Sequence, residues 1–161
     1  MIGVLSDSHD NLHALRKAVG IFHEADCRLI VHAGDFVAPF AVAELRALGC
    51  PVKAVFGNCD GERPGLAKAF DGLGEIREAP LSFSFEGLRF LVSHLDAPIY
   101  GYLVSERPDV LVYGHTHRPL VEWRGSTLLL NPGETGGWLH GRSTVALFDP
   151  KSKTAKIISL D

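Results

Sequence analysis

Long apolar runs, paired cysteines and an excess of charge of either sign are all missing from this sequence, and each absence removes a class of function. No stretch comes near the roughly 18 apolar residues that a membrane-spanning helix requires. Nor is there a basic residue among the five that precede Ser6, so neither a transmembrane helix nor a signal peptide is expected. The three cysteines, Cys27, Cys50 and Cys59, are odd in number and show no CxxC spacing. That argues against a disulfide framework and makes the cytoplasm, where thiols stay reduced, the expected compartment. Sixteen basic residues against nineteen acidic ones leave a net charge of -3 distributed along the chain. No sequence-wide field draws nucleic acid or an anionic membrane, so a polyanionic partner has to be captured locally.

What is present is a chain of 161 residues, 46% of them hydrophobic, which suits one domain over residues 1–161. A domain of this size buries about 70% of its unfolded surface, leaving room for a core and one site but not for a separate cap. Large polar aromatics are scarce, with three tyrosines and two tryptophans, whereas there are eight histidines. The neighbours of those histidines decide what they mean.

Ile2 to Leu5 reads as a short buried strand, followed by the polar run Ser6-Asp7-Ser8-His9-Asp10-Asn11. Leu12, Leu15, Val19 and Phe22 then recur at helical spacing, with Asp10 or Asn11 as the N-cap. The unit repeats at Leu29 to Val31, where Ala33-Gly34-Asp35 precedes a helix from Pro39 to Leu48 that Gly49 stops. A third strand, Val52 to Phe56, ends in Gly57-Asn58-Cys59-Asp60. Such repeats predict right-handed crossovers and a largely parallel sheet. Residues 61–74 form a looser connection with a short helix around Leu66 to Phe70. Leu81 to Phe85 alternates strictly and Glu86-Gly87 signals a turn back into Leu88 to Val92. Val110 to Tyr113 is a further buried strand; the remainder reads as antiparallel, with strands at 120–123, 127–130, 144–148 and 155–160. That is too many strands for one sheet, so two packed sheets with helices outside are expected, and the exposed strand edge is the one hint of a homo-oligomer.

The strand ends share one design: an apolar run, usually a glycine, then side chains able to bind metal. They are Asp7-x-His9, Gly34-Asp35, Gly57-Asn58 and Gly114-His115-x-His117, joined by His94 after the strand 88–92. Ligands bind beyond the carboxyl ends of strands in such sheets, because side chains from separate strands converge there. An i, i+2 pair in extended chain points both side chains one way, so Asp7 with His9, and His115 with His117, are each expected to face one site. Carboxylate, imidazole and amide oxygen suit Mn, Fe, Ni, Co or Zn. Seven side chains exceed one tetrahedral ion; with a bridging carboxylate they supply about four ligands to each of two ions roughly 3.5–4 Å apart.

In order, spacing and strand context this set resembles the calcineurin-like metallophosphoesterases. The runs Gly57-Asn58-Cys59-Asp60, Gly114-His115-Thr116-His117-Arg118-Pro119 and Asn131-Pro132-Gly133 are similar to the small single-domain phosphodiesterase branch. The resemblance implies an α/β fold, a four-layer αββα sandwich of two mixed β-sheets flanked by helices. It also implies two divalent ions, manganese first and nickel, iron, cobalt or zinc as alternatives. Asp7, His9, Asp35 and His117 would hold one ion and Asp35, Asn58, His94 and His115 the other, with Asp35 bridging. The implied reaction is hydrolysis of a small phosphoester, nucleotides included, by in-line attack of a metal-bound hydroxide. Four positive charges on the ions against two negative ones on Asp7 and Asp35 would make the pocket cationic in an acidic chain.

Three departures from the family pattern bear on the chemistry. Cys59 stands where many relatives have a histidine that assists the leaving group, so good leaving groups should be cleaved much better than alkyl ones. Leu95-Asp96 follows His94 where relatives often place a glycine, with Asp96 a candidate outer partner of that histidine, and Glu134 stands where serine is expected. The bland readings are an N-cap for Asp7, turn polars for Asn58, His115 and His117, and a satisfied core or outer-shell histidine for His32. His13, His23 and His140 read as helix-surface or loop residues, Cys59 as a small neutral filler, and Trp138 equally as a stacking lid or a core anchor. The competing functions are a phosphomonoesterase on the same site and, since the scaffold subunit of retromer is similar to this branch, a metal-binding protein scaffold. The ligand set, intact at all seven positions, favours the enzyme.

Overall fold

The computed structural model describes residues 1–161. In chain order the strands are β1 (Ile2–Leu5), β2 (Leu29–His32), β3 (Val52–Val55), β4 (Gly74–Arg77), β5 (Leu81–Phe85), β6 (Leu88–Val92) and β7 (Val110–Val112), then β8 (Leu120–Arg124), β9 (Thr127–Asn131), β10 (Thr144–Asp149) and β11 (Thr154–Ser159). The helices are α1 (Leu12–Glu24), α2 (Arg63–Ala69) and α3 (Ile99–Ser105), with a 3-10 segment at Pro39–Leu48.

The strands form two mixed sheets. The first has the order β11-β10-β1-β2-β3-β4, and β1 to β4 run parallel while β10 and β11 are antiparallel additions. The second has the order β5-β6-β7-β9-β8, with a parallel centre of β6, β7 and β9 and antiparallel edges. Strand alternation sorts the apolar side chains between layers. Ile2, Val4, Leu29, Val31 and Phe148 point between the sheets to meet Phe90, Val112 and Leu128. Leu5 and Ile30 point outward onto Leu15, Ala18 and Phe22 of α1. A third, smaller cluster lies where Ile99 of α3 covers Leu91, Leu111 and Leu129. Helices, sheet, sheet, helix is the four-layer sandwich expected. No helix is long and apolar enough to cross a membrane.

Four details differ from the sequence reading. Residues 39–48 wind as 3-10 rather than α-helix, after Pro39 at the start and before Gly49 at φ 66°. β4 was not expected, because a short edge strand with Ile76 as its one large apolar residue carries little pattern. β9 is antiparallel to β8 but parallel to β7, so the C-terminal third is not antiparallel throughout. That third also divides between the sheets, β8 and β9 in one and β10 and β11 in the other.

Candidate metal centre

The loops after β1, β2, β3, β6 and β7 all open at the same edge of the sandwich, where the parallel strands of both sheets end. Asp7 and His9 come from the first, Asp35 from the second, Asn58 from the third, His94 from the fourth, and His115 and His117 from the fifth. Side chains do not converge by strand alternation as expected. Asp7, His9, Asp35, His115 and His117 all have positive φ, between 42° and 64°. Each left-handed residue turns its side chain back toward the sheet edge at a cost of order 1 kcal/mol or more. Backbone hydrogen bonds hold them there: Asp7 N–H donates to the Gly34 carbonyl at 2.9 Å and His9 N–H to the Asp35 carbonyl at 3.1 Å. His115 N–H donates to Asp7 Oδ2 at 3.1 Å.

The glycines before the ligands have a steric reason. A Cβ on Gly57 would fall on the Asp35 carboxylate, and one on Gly114 would fall on Ser6 Oγ. Only a residue without a side chain lets those strand ends close on the cluster. Buried Asp60 fastens two of the loops, accepting from Asp35 N–H at 3.0 Å, Val37 N–H at 2.8 Å and Gly57 N–H at 2.7 Å.

Donor atoms 2.0–2.2 Å from one ion lie about 2.8–3.6 Å apart for octahedral or tetrahedral angles. The cluster approaches that spacing. His117 Nε2 is 3.4 Å and His9 Nε2 4.0 Å from Asp7 Oδ1. Asp35 Oδ2 stands between the two sides, 3.6 Å from His9 Nε2 and 3.4 Å from His94 Nε2. His94 Nε2 is 2.8 Å from Asn58 Oδ1. Asp7 with His9 and His117, Asp7 with Asp35 and His94, and His9 with Asp35 and Cys59 form three triplets whose donor atoms lie within 4.8 Å of one another. His115 joins none; it is exposed at the rim, its ring 5.3 Å from that of His94. Asp7 Oδ1, His9 Nε2, His117 Nδ1 and Ser6 Oγ are buried atoms without a hydrogen-bond partner. Native interiors rarely leave such atoms unpaired, and three of the four belong to metal-capable side chains. A divalent cation fits these residues on both donor chemistry and spacing.

The charges are poised unequally. Burial pushes the Asp7 carboxyl up from the usual carboxylate range. Burial acts on Asp35 in the same direction, but the hydrogen bond and charge of His94, with the amide and thiol of Cys59, outweigh it and hold that carboxyl at about 2. Burial likewise opposes protonation of His94, and the Asp35 carboxylate outweighs it, raising the imidazole. The Cys59 thiol is pushed to about 11 by desolvation and by the carboxylates of Asp35, Asp60 and Asp7. It is therefore a neutral, exposed group at neutral pH, as a filler would be.

Some residues near the centre were not assigned to it from sequence. Glu134, almost fully buried, places Oε2 3.3 Å from His117 Nδ1 and accepts from the backbone N–H groups of Trp138 and Leu139. Its only signal was its departure from the expected serine. His140, read as a loop residue, is one, yet its ring lies 6.5 Å from that of His117. Trp138 is 66% exposed, which removes the core-anchor reading, and its Nε1 donates to the His9 carbonyl at 3.2 Å. Asp96 is exposed and is not the outer partner of His94, whose Nδ1 sits 2.8 Å from the Ala33 carbonyl. His32 is the satisfied core histidine expected: its rings stack on Phe36 at 3.5 Å, Nδ1 accepts from Gly34 N–H, and Ser8 Oγ is 3.1 Å from Nε2. Burial lowers its basicity well below the usual range.

Two cavities flank the cluster. One, of about 730 Å³, opens beside His117 toward Arg118, His140 and Arg142. The other, of about 290 Å³, opens beside Asn58 and His94 toward Phe56, Arg63 and Tyr102.

Known proteins share this arrangement of strands and loops. A profile of the calcineurin-like phosphoesterase superfamily domain matches residues 1–153. Phosphodiesterase MJ0936 of Methanocaldococcus jannaschii is 34% identical over 164 residues, covering 99% of both chains. Phosphodiesterase YfcE of Escherichia coli is 32% identical over 141 residues, which cover 80% of this chain and 75% of that one. Among solved structures, one described as a novel archaeal phosphodiesterase superposes with a TM-score of 0.93 at 33% identity, covering 98% of each chain. A zinc complex of Vps29 from Entamoeba histolytica, at 14% identity and a TM-score of 0.71 over 99% of both chains, shares the fold. With its fold and nearly its whole length matched in this way, the chain belongs to the calcineurin-like phosphoesterase superfamily.

Proposed function

We propose that this protein is a metal-dependent phosphodiesterase whose centre holds two divalent ions. Asp7, His9, Asp35 and His117 hold one, Asp35, Asn58, His94 and His115 the other, and Asp35 is shared. The observation that carries this reading is the convergent donor set with its buried, unpartnered atoms, opening between two cavities. A diester has two organic substituents on phosphorus and a monoester one, and the two flanking cavities suit two. The relatives called phosphodiesterases support the same choice.

When bound, the ions lower the pKa of a water toward neutrality and neutralise phosphate oxygens. The chain's own residues do the rest. The Ala33 carbonyl fixes the ring of His94, and Glu134 faces Nδ1 of His117 and sets its orientation. Asp60 ties the loop of Asp35 to that of Asn58, so the two sides keep their separation. Cys59 puts a thiol where an imidazole would serve as proton donor, so alcohols that leave readily are favoured over alkyl ones. Manganese suits the mixture of carboxylate, imidazole and amide donors, a nucleotide diester lies within the substrate class, and the cytoplasm suits the free thiols.

The test is hydrolysis of bis(4-nitrophenyl) phosphate by manganese-loaded protein. Turnover that falls by orders of magnitude in His117→Ala is expected. Absence of turnover in loaded protein, or unchanged turnover in the variant, overturns the reading.

A further inference from the structure

We propose that the cavity beside His117 is an anion-binding subsite, and that the substrate is a phosphodiester bearing a second anionic group, such as another phosphate, on the substituent that enters it. This rests on the phosphodiesterase reading above. The sequence has ten arginines. Eight of them bond within the chain: Arg16 to Glu44, Arg28 to Glu86, Arg46 to the Ala69 and Asp71 carbonyls, Arg63 to Glu78, Arg77 to Glu75, Arg89 to the Glu106 and Arg107 carbonyls, Arg107 to the Val104 carbonyl, and Arg124 to Glu122. The guanidinium groups of Arg118 and Arg142 form no hydrogen bond or ion pair, and both line this one cavity. A free guanidinium is a planar fork of donors suited to phosphate and carboxylate oxygens.

The rest of the wall is polar. His140 and His117 add imidazoles, and the one carboxylate side chain, that of Asp161, is already engaged by Ser159 Oγ at 3.1 Å and Ser143 N–H at 3.4 Å. The cavity on the opposite flank differs: its arginine, Arg63, is paired with Glu78 and lies over the ring of Phe56. Charge recognition is therefore confined to one side of the reacting phosphate.

That side is also pre-organised. Glu134 pins the backbone of Trp138 and Leu139, Gly136 N–H donates to the Asp7 carbonyl at 3.0 Å, and Trp138 Nε1 reaches the His9 carbonyl. The segment carrying His140 and Arg142 is thus tied to the loop that carries Asp7 and His9. A volume of about 730 Å³ is ample for a nucleoside with an additional phosphate.

The experiment compares thymidine 5′-(4-nitrophenyl phosphate) with the same compound phosphorylated at the 3′-oxygen. The broken bond and the leaving group are identical. In manganese-loaded protein the expected kcat/KM is about tenfold or more in favour of the 3′-phosphorylated substrate, the value of one charge-assisted contact. In the double variant Arg118→Gln/Arg142→Gln that ratio falls toward unity; because it is a ratio within one preparation, loss of folded protein cancels. Cleavage of both substrates without preference, or a preference that survives in the double variant, overturns the subsite and leaves the phosphodiesterase reading standing. If neither substrate is cleaved, that reading fails, and calorimetric titration of thymidine 3′,5′-bisphosphate into chelator-treated protein decides the subsite alone. Binding about tenfold or more weaker in the double variant than in the wild type supports it; equal binding, or none to either, overturns it.

Discussion

His94 and His117 occupy opposite sides of one cluster and are held in different ways. Both ring nitrogens of His94 face acceptors, the Ala33 carbonyl and Asn58 Oδ1, each at 2.8 Å, so the chain satisfies the ring only when it carries both protons, while Asp35 beside it accepts from Cys59 N–H at 2.8 Å. On the other side Asp7 Oδ1 and His9 Nε2 have no hydrogen-bond partner, and His117 Nδ1 makes none although Glu134 Oε2 lies 3.3 Å away; left-handed backbone is common to both sides, Asp35 at φ 61° as well as Asp7, His9 and His117. A buried polar atom without a partner costs about 1–3 kcal/mol. The Asp35–Asn58–His94 side is therefore closed by contacts within the chain when the His94 ring is protonated, whereas the Asp7–His9–His117 side leaves buried donor atoms unpaired that a cation would engage. Asp35 belongs to both sides.

Substitution at that shared residue has the largest expected effect. On the proposed assignment Asp35→Ala removes a ligand from both positions, so activity on an aryl diester should fall by about 10³-fold or more, beyond the 10–100-fold typical of an outer partner. Manganese content measured by elemental analysis should fall at both positions. A variant that kept one full equivalent of metal would break the idea that Asp35 is shared. Glu134→Gln acts on one side only. It should weaken manganese binding about 10–100-fold at the weaker of two sites in a calorimetric titration and leave the other unchanged. Equal weakening of both sites would show that the two sides are not independently supported.

The contrast also explains what could be read from the sequence. Each ligand follows an apolar strand, so Asp35 after Leu29 to Val31 and His115 after Val110 to Tyr113 were visible as strand ends, and the two-sheet sandwich followed from the number of strands. The supports were not visible. Glu134 meets His117 across 17 residues of sequence, and Asp60 meets Asp35 across 25, through loops whose left-handed turns no periodicity announces. The i, i+2 rule for extended chain does not describe these loops, since Asp7, His9, His115 and His117 all have positive φ, and His115 stays at the exposed rim. β4 escaped because an exposed edge strand needs little apolar pattern, and His140 and Arg142 escaped because a glycine-rich loop has no period to read.

Metal removal sharpens the comparison at smaller scale. Manganese at 100 times its dissociation constant should add about 2.7 kcal/mol to the stability of the wild type. For a chain of this size that is roughly 5–10 °C in the midpoint of thermal unfolding, lost on treatment with chelator. No shift on chelation would mean that the unpaired atoms are not engaged by a cation.

The smallest expected effect is that of His117→Ala, and setting it beside His94→Ala separates the two sides most directly, because the comparison needs neither metal nor substrate. In chelator-treated protein, His94→Ala removes a buried ring and leaves the Ala33 carbonyl and Asn58 without their partner. Each loss falls in the range of ~1–3 kcal/mol for a broken buried hydrogen bond, so the thermal midpoint should drop by several degrees. His117→Ala removes a ring whose Nδ1 has no hydrogen-bond partner and whose backbone is left-handed at φ 57°. Loss of packing and relief of the unpaired atoms oppose one another, and the net change should stay within about 0.5 kcal/mol, near the limit for substitutions without a specific destabilising mechanism. Thermal unfolding of the two metal-free variants side by side reads the difference. Equal destabilisation would show that the fold supports both histidines alike.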